Sequence, residues 1–485
     1  MKHASLSFPL EGTVAGDLLR EICQNRKMDP VWKDGKMFGF VYYPGDNTAE
    51  FLERVCQIYR HDNALNPTLF NSLRKMENEL VAMVGNLLHG NRNTVGSVTS
   101  GGTESILMAM KVAREWKREQ MPGSTPEVIV PLTAHPAFDK TAYYLDMKLL
   151  HAPVGADYRV DVSKMASMIN EHTAMVVGSA PCFPYGVVDP ITEIAKLAMD
   201  NKLLCHVDAC MGGFMLPFLE KLGYRVSPFD FRVKGVTSIS ADAHKYGYSM
   251  KGASLILYRD TGLRKRQMFV TTEWPGGIFA SSSLLGSKSG GAAATAWAMV
   301  KLMGMKGYMR MAAEVMATVK CIQRGIRETE GLEILGHPEM SVFAFRSDLY
   351  NIYALGDALA GCGWITDRLQ APAAIHLTLN RIQVGKEREF LKDLRESVAK
   401  VKQKNEGKPA DRLVISAISG LSGILPDRIF RTAMEVACRF TRTGEDQSGS
   451  VALYGISARM KNRGNMKEMI TSIYDRLYRA LPEKQ

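Results

Sequence analysis

The stretch SADAHKYGYSMKG, residues 240–252, carries two lysines six positions apart, Lys245 after a histidine and Lys251 before a glycine. A lysine becomes a nucleophile when burial or neighbouring positive charge lowers its pKa; otherwise a loop lysine is a solvated cation. TSGGTES (99–105) precedes a strongly helical segment. Its two glycines, the hydroxyls of Thr103 and Ser105 and the N–H groups of a helix start would cradle a phosphate, although the same residues also make an ordinary turn and N-cap. CHVDAC (205–210) combines two cysteines, a histidine and an aspartate. In a strand, Cys205, Val207 and Ala209 point one way and His206, Asp208 and Cys210 the other, and no further Cys/His pair completes a zinc site, so no metal is expected. Asp208 then needs another partner, because burying a carboxylate unpaired is costly.

Taken together, a phosphate cradle, an aspartate at a strand end, a histidine after a strand (His135) and a lysine after a later strand are the parts of a pyridoxal phosphate site. The lysine would form the Schiff base, the aspartate would hold the pyridinium, and the ring would serve as electron sink.

The elements that must position these groups are legible as alternation. EVIVPL (127–132), MKLLHAPV (147–154), AMVVGSAP (174–181), LLCHVDA (203–209), GVTSIS (235–240) and ASLILYR (253–259) are short runs rich in Val, Ile and Leu, and they read as buried strands. Helical patterns such as ESILMAMKVAREWKREQ (104–120) and ITEIAKLAMDNK (191–202) lie between most of them. This predicts a mostly parallel sheet covered on both faces. The last two strands are joined without a clear helix, which leaves an antiparallel pairing open for them. Ligands bind beyond the carboxyl ends of such strands. That rule selects Ala134–His135, Pro181 to Gly186, Asp208 and His244–Lys245.

After Gly307 the pattern changes to a helix, then SVFAFRS (341–347), AAIHLTLN (373–380) and the helix EFLKDLRESVAKVKQK (389–404), a smaller α+β domain. Methionines recur between Met299 and Met316 and read chiefly as helical core filling, with the lining of an apolar channel as the other reading.

The 485-residue chain, 46% hydrophobic and 23% charged, is ordinary for a globular enzyme. No apolar run reaches the roughly 18 residues of a membrane span, and the N-terminus lacks the apolar core of a secretory signal. The eight cysteines are scattered apart from Cys205 and Cys210, which does not read as a disulfide framework. A soluble, reduced, cytoplasmic protein is expected. The net charge of +11 reads first as a solvated basic surface and second as affinity for an anionic substrate or a lipid surface, and without a run of five basic residues it makes no case for nucleic acid.

With these residues in view, the chain resembles the sphingosine-1-phosphate lyases, in the group II decarboxylase branch of fold-type I pyridoxal-phosphate enzymes. VTSGGTESILMA, AHPAFDK, FPYGVVDPI, HVDACMGGF, PFDFRVKGVTSISADAHKYGY and WPGGIFASSSLLGS carry the likeness. FLKDLRESV and SVALYGISARMKNRGNM extend it, so that it covers nearly the whole chain from about residue 35. The resemblance implies the soluble bacterial type and an α/β fold with a mixed, mostly parallel seven-stranded sheet plus a smaller α+β C-terminal domain. The expected division is an N-terminal segment, 1–58, making dimer and substrate-site contacts, a cofactor-binding large domain, 59–305, and a C-terminal small domain, 306–485.

It further implies Lys245 as the Schiff-base lysine, His244 beside the cofactor, Asp208 on the pyridine nitrogen and His135 stacked on the ring. Gly101, Gly102 and Thr103 would hold the cofactor phosphate, with Ser287 of the partner subunit. Tyr42 and Lys251 would face the substrate phosphate, in a homodimer with active sites at the interface. Three positions depart from the family pattern: Asn66 in NALNPTLF where a histidine is usual, Lys288 in GSKSGG where an arginine is usual, and Phe279 in GGIFAS where a tyrosine is common. They touch the phosphate-binding end and leave the cofactor residues in place. Asn66 is retained as a substrate-side residue.

The implied reaction breaks the C2–C3 bond of a phosphorylated sphingoid base, giving a long-chain aldehyde and phosphoethanolamine. The base for the C3 hydroxyl is Lys251, Tyr42 or a phosphate oxygen. Amino-acid decarboxylation is the alternative on the same cofactor. It has no use for a substrate-phosphate site, so Lys251 and Tyr42 favour the lyase.

Overall fold

The computed structural model describes residues 8–405 and isolated positions between 467 and 478. The motif SVALYGISARMKNRGNM (450–466) lies outside the described residues, as does most of the segment 306–485 beyond residue 405. Helices α1 (Ala15–Asn25), α2 (Asp46–Tyr59) and α3 (Asn71–Leu87) come first. Strands and helices then alternate: β1 (Val95–Thr99), α4 (Gly102–Gln120), β2 (Glu127–Pro131), α5 (Ala137–Leu145), β3 (Lys148–Ala152), α6 (Val162–Ser167), β4 (Thr173–Ser179), α7 (Ile191–Asp200), β5 (Leu204–Asp208), α8 (Leu216–Lys221), β6 (Ser238–Ala241) and β7 (Ser254–Tyr258). A short helix α9 (Thr261–Lys265) leads to the hairpin β8 (Phe269–Thr271) and β9 (Phe279–Ser281) and the long helix α10 (Gly290–Arg327). The described chain finishes with β10 (Glu333–Ile334), β11 (Val342–Arg346), α11 (Ile352–Gly361), β12 (Asp367–Gln370), β13 (Ala373–Thr378) and α12 (Glu387–Asn405).

Two compact units result. The larger comprises Met37–Asp348 and Ile375–Lys392. Its seven-stranded sheet has the order β1-β7-β6-β5-β4-β2-β3. All six predicted runs are strands of it. Strands β3, β2, β4, β5 and β6 are parallel, and β7 runs antiparallel to both β6 and β1. The pairing left open by the missing helix is therefore antiparallel. The seventh strand, VGSVT, has too little apolar character to announce itself. Gly96 explains why: a Cβ there would collide with the Ile256 carbonyl oxygen on β7.

Strands β4, β5 and β7 are buried along their whole length, as β-branched runs between two helical layers should be. Helix α4 packs Ile106, Met110 and Ala113 against Val130, Val177 and Ile256 of the sheet and Phe138 of α5. Each of the larger side chains contributes about 1.5–3 kcal/mol by leaving water. Helix α10 begins earlier than the sequence pattern suggests and breaks at Gly304, whose φ of 54° suits glycine. Met299, Met311 and Met316 fill the core along it, whereas Met305 is exposed. Strands β10, β11 and the Ile375–Thr378 part of β13 form a separate small antiparallel sheet.

The smaller unit comprises Met1–Lys36, Leu349–Ala374 and Asp393–Gln485. Trp364 is fully buried, donates from Nε1 to Asp393 Oδ2 at 2.8 Å and lies under the Lys36 ammonium. Helix α1 has no buried residue, although Leu18, Leu19 and Ile22 share one face of it. No helix among the described residues is long and apolar enough to cross a membrane.

Candidate active site

The residues between β6 and β7 fold into a tight turn that carries both lysines. The Lys245 N–H donates to the Asp242 carbonyl at 3.3 Å, and the Tyr248 N–H to the Lys245 carbonyl at 2.9 Å. Tyr248 takes a φ of 55°, uncommon for a bulky side chain, so the turn has to be held from outside. Tyrosines do this. The Tyr246 hydroxyl donates to the Leu379 carbonyl at 2.8 Å and accepts from Ser341 Oγ at 2.7 Å. The Tyr308 hydroxyl donates to the Gly247 carbonyl at 2.8 Å, and the Arg381 N–H donates to the Tyr248 hydroxyl at 3.2 Å.

Within this turn Lys245 Nζ lies 2.9 Å from Asp242 Oδ2, a carboxylate only 1% exposed. Burial opposes charge on both groups, yet the pair overrides it. Asp242 is held below its ordinary value chiefly by Lys245, and Lys245 above its own chiefly by Asp242. His244 Nε2 is 3.7 Å from the same oxygen, while its Nδ1 accepts the Ala253 N–H at 3.3 Å. Burial pulls the His244 imidazole down, against the attraction of Asp242.

The TSGG turn meets this group. Helix α4 starts immediately after β1, and no side chain caps it. The acidic residue of its first turn, Glu104, is engaged elsewhere, accepting from Ser100 N–H and Oγ at 2.6 Å and from Leu284 N–H at 2.7 Å. The helix start is thus left for an anion. Gly102 is packed so closely that a Cβ would lie 2.9 Å from both Asp242 carboxylate oxygens and 2.8 Å from Cys210 Sγ. A Cβ on Gly101 would sit 3.4 Å from His244 Cε1. The glycines therefore set the start of α4 against Asp242, His244 and Cys210.

Asp208, at the end of β5, stands opposite Ser179 on β4 and Ser240 on β6. Its Oδ1 accepts from the Cys210 N–H at 3.1 Å and from Ser240 Oγ at 3.2 Å. His206, Asp208 and Cys210 all reach the Ser240 hydroxyl, as strand alternation predicts. His206 is fully buried, with Nδ1 2.9 Å from Ser238 Oγ, and burial brings its pKa down to about 4. It is a neutral strut behind Asp208. His135 Nδ1 accepts the Ala137 N–H at 3.1 Å, which leaves the proton of the neutral ring on Nε2. Burial lowers its pKa, and the charges of Asp208, Lys245 and Asp242 all act on it.

Lys251 and Tyr42, 209 positions apart in the chain, do meet. Lys251 Nζ lies 5.1 Å from the Tyr42 ring centroid, and that ring packs edge-on to Tyr246 at 5.1 Å. Burial and the charge of Lys245 lower the Lys251 pKa. The segment bearing Tyr42 is pinned by Asn380 Nδ2, which donates to the Val41 carbonyl at 3.1 Å, and by Gln383 Nε2, which donates to the Met37 carbonyl at 2.6 Å.

The remaining predicted positions have other engagements. Asn66 is exposed, and its Oδ1 accepts from Thr68 N–H and Oγ1 in a local turn. Ser287 Oγ accepts from Asn63 Nδ2 at 3.0 Å. Lys288 turns its ammonium toward Glu77 and the Val98 carbonyl, at 3.5 and 3.4 Å. Phe279 lies on the β8–β9 hairpin beside Trp274 and Phe269. Sequence reasoning missed Asp242 and the His206–Ser240 support. The available signal was the Asp-x-x-Lys spacing on one turn.

The family model of the pyridoxal-dependent decarboxylase conserved domain matches residues 62–348. A sphingosine-1-phosphate lyase of Dictyostelium discoideum is 41% identical over 430 residues, 88% of this chain and 80% of that protein. Among solved structures, a sphingosine-1-phosphate lyase of Burkholderia pseudomallei is 35% identical with a TM-score of 0.79, covering 87% of this chain and 98% of that one. A glutamate decarboxylase of Lactobacillus brevis has a TM-score of 0.72 at 18% identity, over 83% of this chain and 96% of that one, a likeness of fold.

Proposed function

The chain belongs to the pyridoxal-dependent decarboxylase family and, within it, to the sphingosine-1-phosphate lyases, and from that premise we propose that it cleaves the C2–C3 bond of phosphorylated sphingoid bases, releasing a long-chain aldehyde and phosphoethanolamine. The observation that carries the proposal is the meeting of Lys245, His244, Cys210 and the glycine cradle at the strand ends, with Lys251 and Tyr42 beside them.

Pyridoxal phosphate, when bound, supplies an aldehyde for amines and a ring that takes up the electron pair of the broken bond. The protein does the rest. Gly101, Gly102 and Thr103 bind the cofactor phosphate at the start of α4. His135 would hold the cofactor ring and Asp208 its nitrogen, with the Asp208 carboxylate oriented by Ser240 and the Cys210 N–H. Lys245 would hold the cofactor covalently through Nζ. Lys251 binds the substrate phosphate, with Tyr42 fixing its position and Asn66 on the same substrate side. A base at this end, namely Lys251, Tyr42 or a phosphate oxygen, takes the C3 hydroxyl proton.

The working form is a homodimer, with Ser287 of the partner subunit completing each phosphate site. The exposed Phe269, Trp274, Ile278 and Leu284 on and near the β8–β9 hairpin support an interface there. The division into segments 1–58, 59–305 and 306–485 is part of the same reading. So is a cytoplasmic enzyme whose basic surface makes peripheral contact with lipid.

The test is to incubate purified protein with pyridoxal phosphate and a phosphorylated sphingoid base. Aldehyde release and a visible absorption band, both lost in Lys245→Ala, are expected. Carbon dioxide from amino acids with no aldehyde would establish the decarboxylase instead.

A further inference from the structure

Asp242 has no role in the reaction as set out above, yet it is the buried group nearest to Lys245 Nζ, at 2.9 Å. It also lies against the start of α4, where a Cβ on Gly102 would press on both of its oxygens at 2.9 Å. A carboxylate 1% exposed is costly to keep charged without a cation, and here the cation is the lysine that takes the cofactor. We propose that Asp242 is a positioning residue that tethers the Lys245 ammonium beside the Gly101–Gly102 turn, so that capture of an aldehyde by Lys245 begins with the breaking of this ion pair. The inference rests on Lys245 being the covalent residue.

The chemistry of capture makes the tether consequential. An ammonium has no electron pair to give. Lys245 must first release one proton; the freed pair on Nζ then bonds to the aldehyde carbon, and the aldehyde oxygen leaves as water. While Asp242 is ionised and in contact, release of that proton leaves a buried carboxylate without its partner. Asp242 thus holds the amine in place and keeps it unreactive until an aldehyde is lodged beside it. The other groups facing Lys245 are Cys210 and Asp208 from the end of β5, His135 from beyond β2, and His244, Tyr246 and Lys251 from the same turn. Asp242 is the member of this set in direct ion-pair contact.

The tether can be read without turnover. Cofactor-stripped full-length protein is treated with pyridoxal, which lacks the phosphate, and cyanoborohydride across a pH series. Label at Lys245 and at the exposed Lys164 is then quantified by peptide mass spectrometry. In the wild type, Lys245 labelling is expected to have its midpoint at higher pH than Lys164. In Asp242→Asn the Lys245 midpoint is expected to fall by about 1–3 pH units, the effect of removing an opposite charge at this distance. Gly102→Ala should lower it too, because the added methyl displaces the carboxylate. A wild-type Lys245 midpoint at or below that of Lys164, or an unmoved midpoint in a folded Asp242→Asn protein, overturns the tether alone. Labelling of Lys164 with none at Lys245 at any pH overturns the tether and the assignment of Lys245 together.

Discussion

Replacing Lys251 with methionine removes a charge while keeping an apolar stem on the Tyr42 ring, and its cost can be bounded. The ammonium lies 5.1 Å from the ring centroid on an edge of the turn, so its contribution to folding is a cation–π contact of about 0.5–1 kcal/mol. To a bound phosphate it would give a charge-assisted hydrogen bond worth about 1.5–3 kcal/mol. At about 1.4 kcal/mol per factor of ten, kcat/KM should fall roughly 10–150-fold while thermal stability changes little. Lys251 is not part of the cradle, so Lys251→Met should bind pyridoxal phosphate and show its visible band unchanged. Inhibition by inorganic phosphate should weaken by a similar factor, and Lys251→Arg should recover part of the loss. The assay compares aldehyde release from a phosphorylated sphingoid base with release from the same base lacking phosphate. A kcat/KM within roughly threefold of wild type, or an equal loss on both substrates, would refute phosphate recognition by Lys251.

Asp189 accepts the Ser179 and Val160 N–H groups, at 2.8 and 3.0 Å, and burial pushes its pKa up to about 6. A carboxyl raised from about 4 to about 6 on folding stabilises the fold most below pH 4 and loses that contribution, about 3 kcal/mol, as pH rises through 6. The urea midpoint of the wild type should therefore gain on that of Asp189→Asn as pH falls from 7 to 4, and parallel profiles would refute the shift. Tyr246→Phe leaves the buried Leu379 carbonyl and Ser341 hydroxyl each short of a partner. It should cost about 1–3 kcal/mol in urea unfolding, and no loss would show that the turn is not held there.

The strands were legible because two-sided burial demands continuous Val, Ile and Leu, and the strand ends then located Asp208, His135 and Lys245. Strand β1 escaped because the close approach of β7 requires Gly96, a residue type that argues against a strand. Side-chain direction in loops was not legible. Lys288 reads as a cation for phosphate, yet its ammonium turns inward to Glu77 and the Val98 carbonyl. Asp242 drew no reading from the sequence, and the backbone bond from the Lys245 N–H to its carbonyl brings the two side chains together. The separation of the two lysines is likewise a matter of backbone. A left-handed conformation at Tyr248, φ 55°, turns the chain between them. Lys245 is thereby turned to Asp242 at the cradle and Lys251 to the ring of Tyr42. The clamped turn gives one amine a buried counter-ion beside the glycine cradle and the other an aromatic face, so the two lysines stand in different environments.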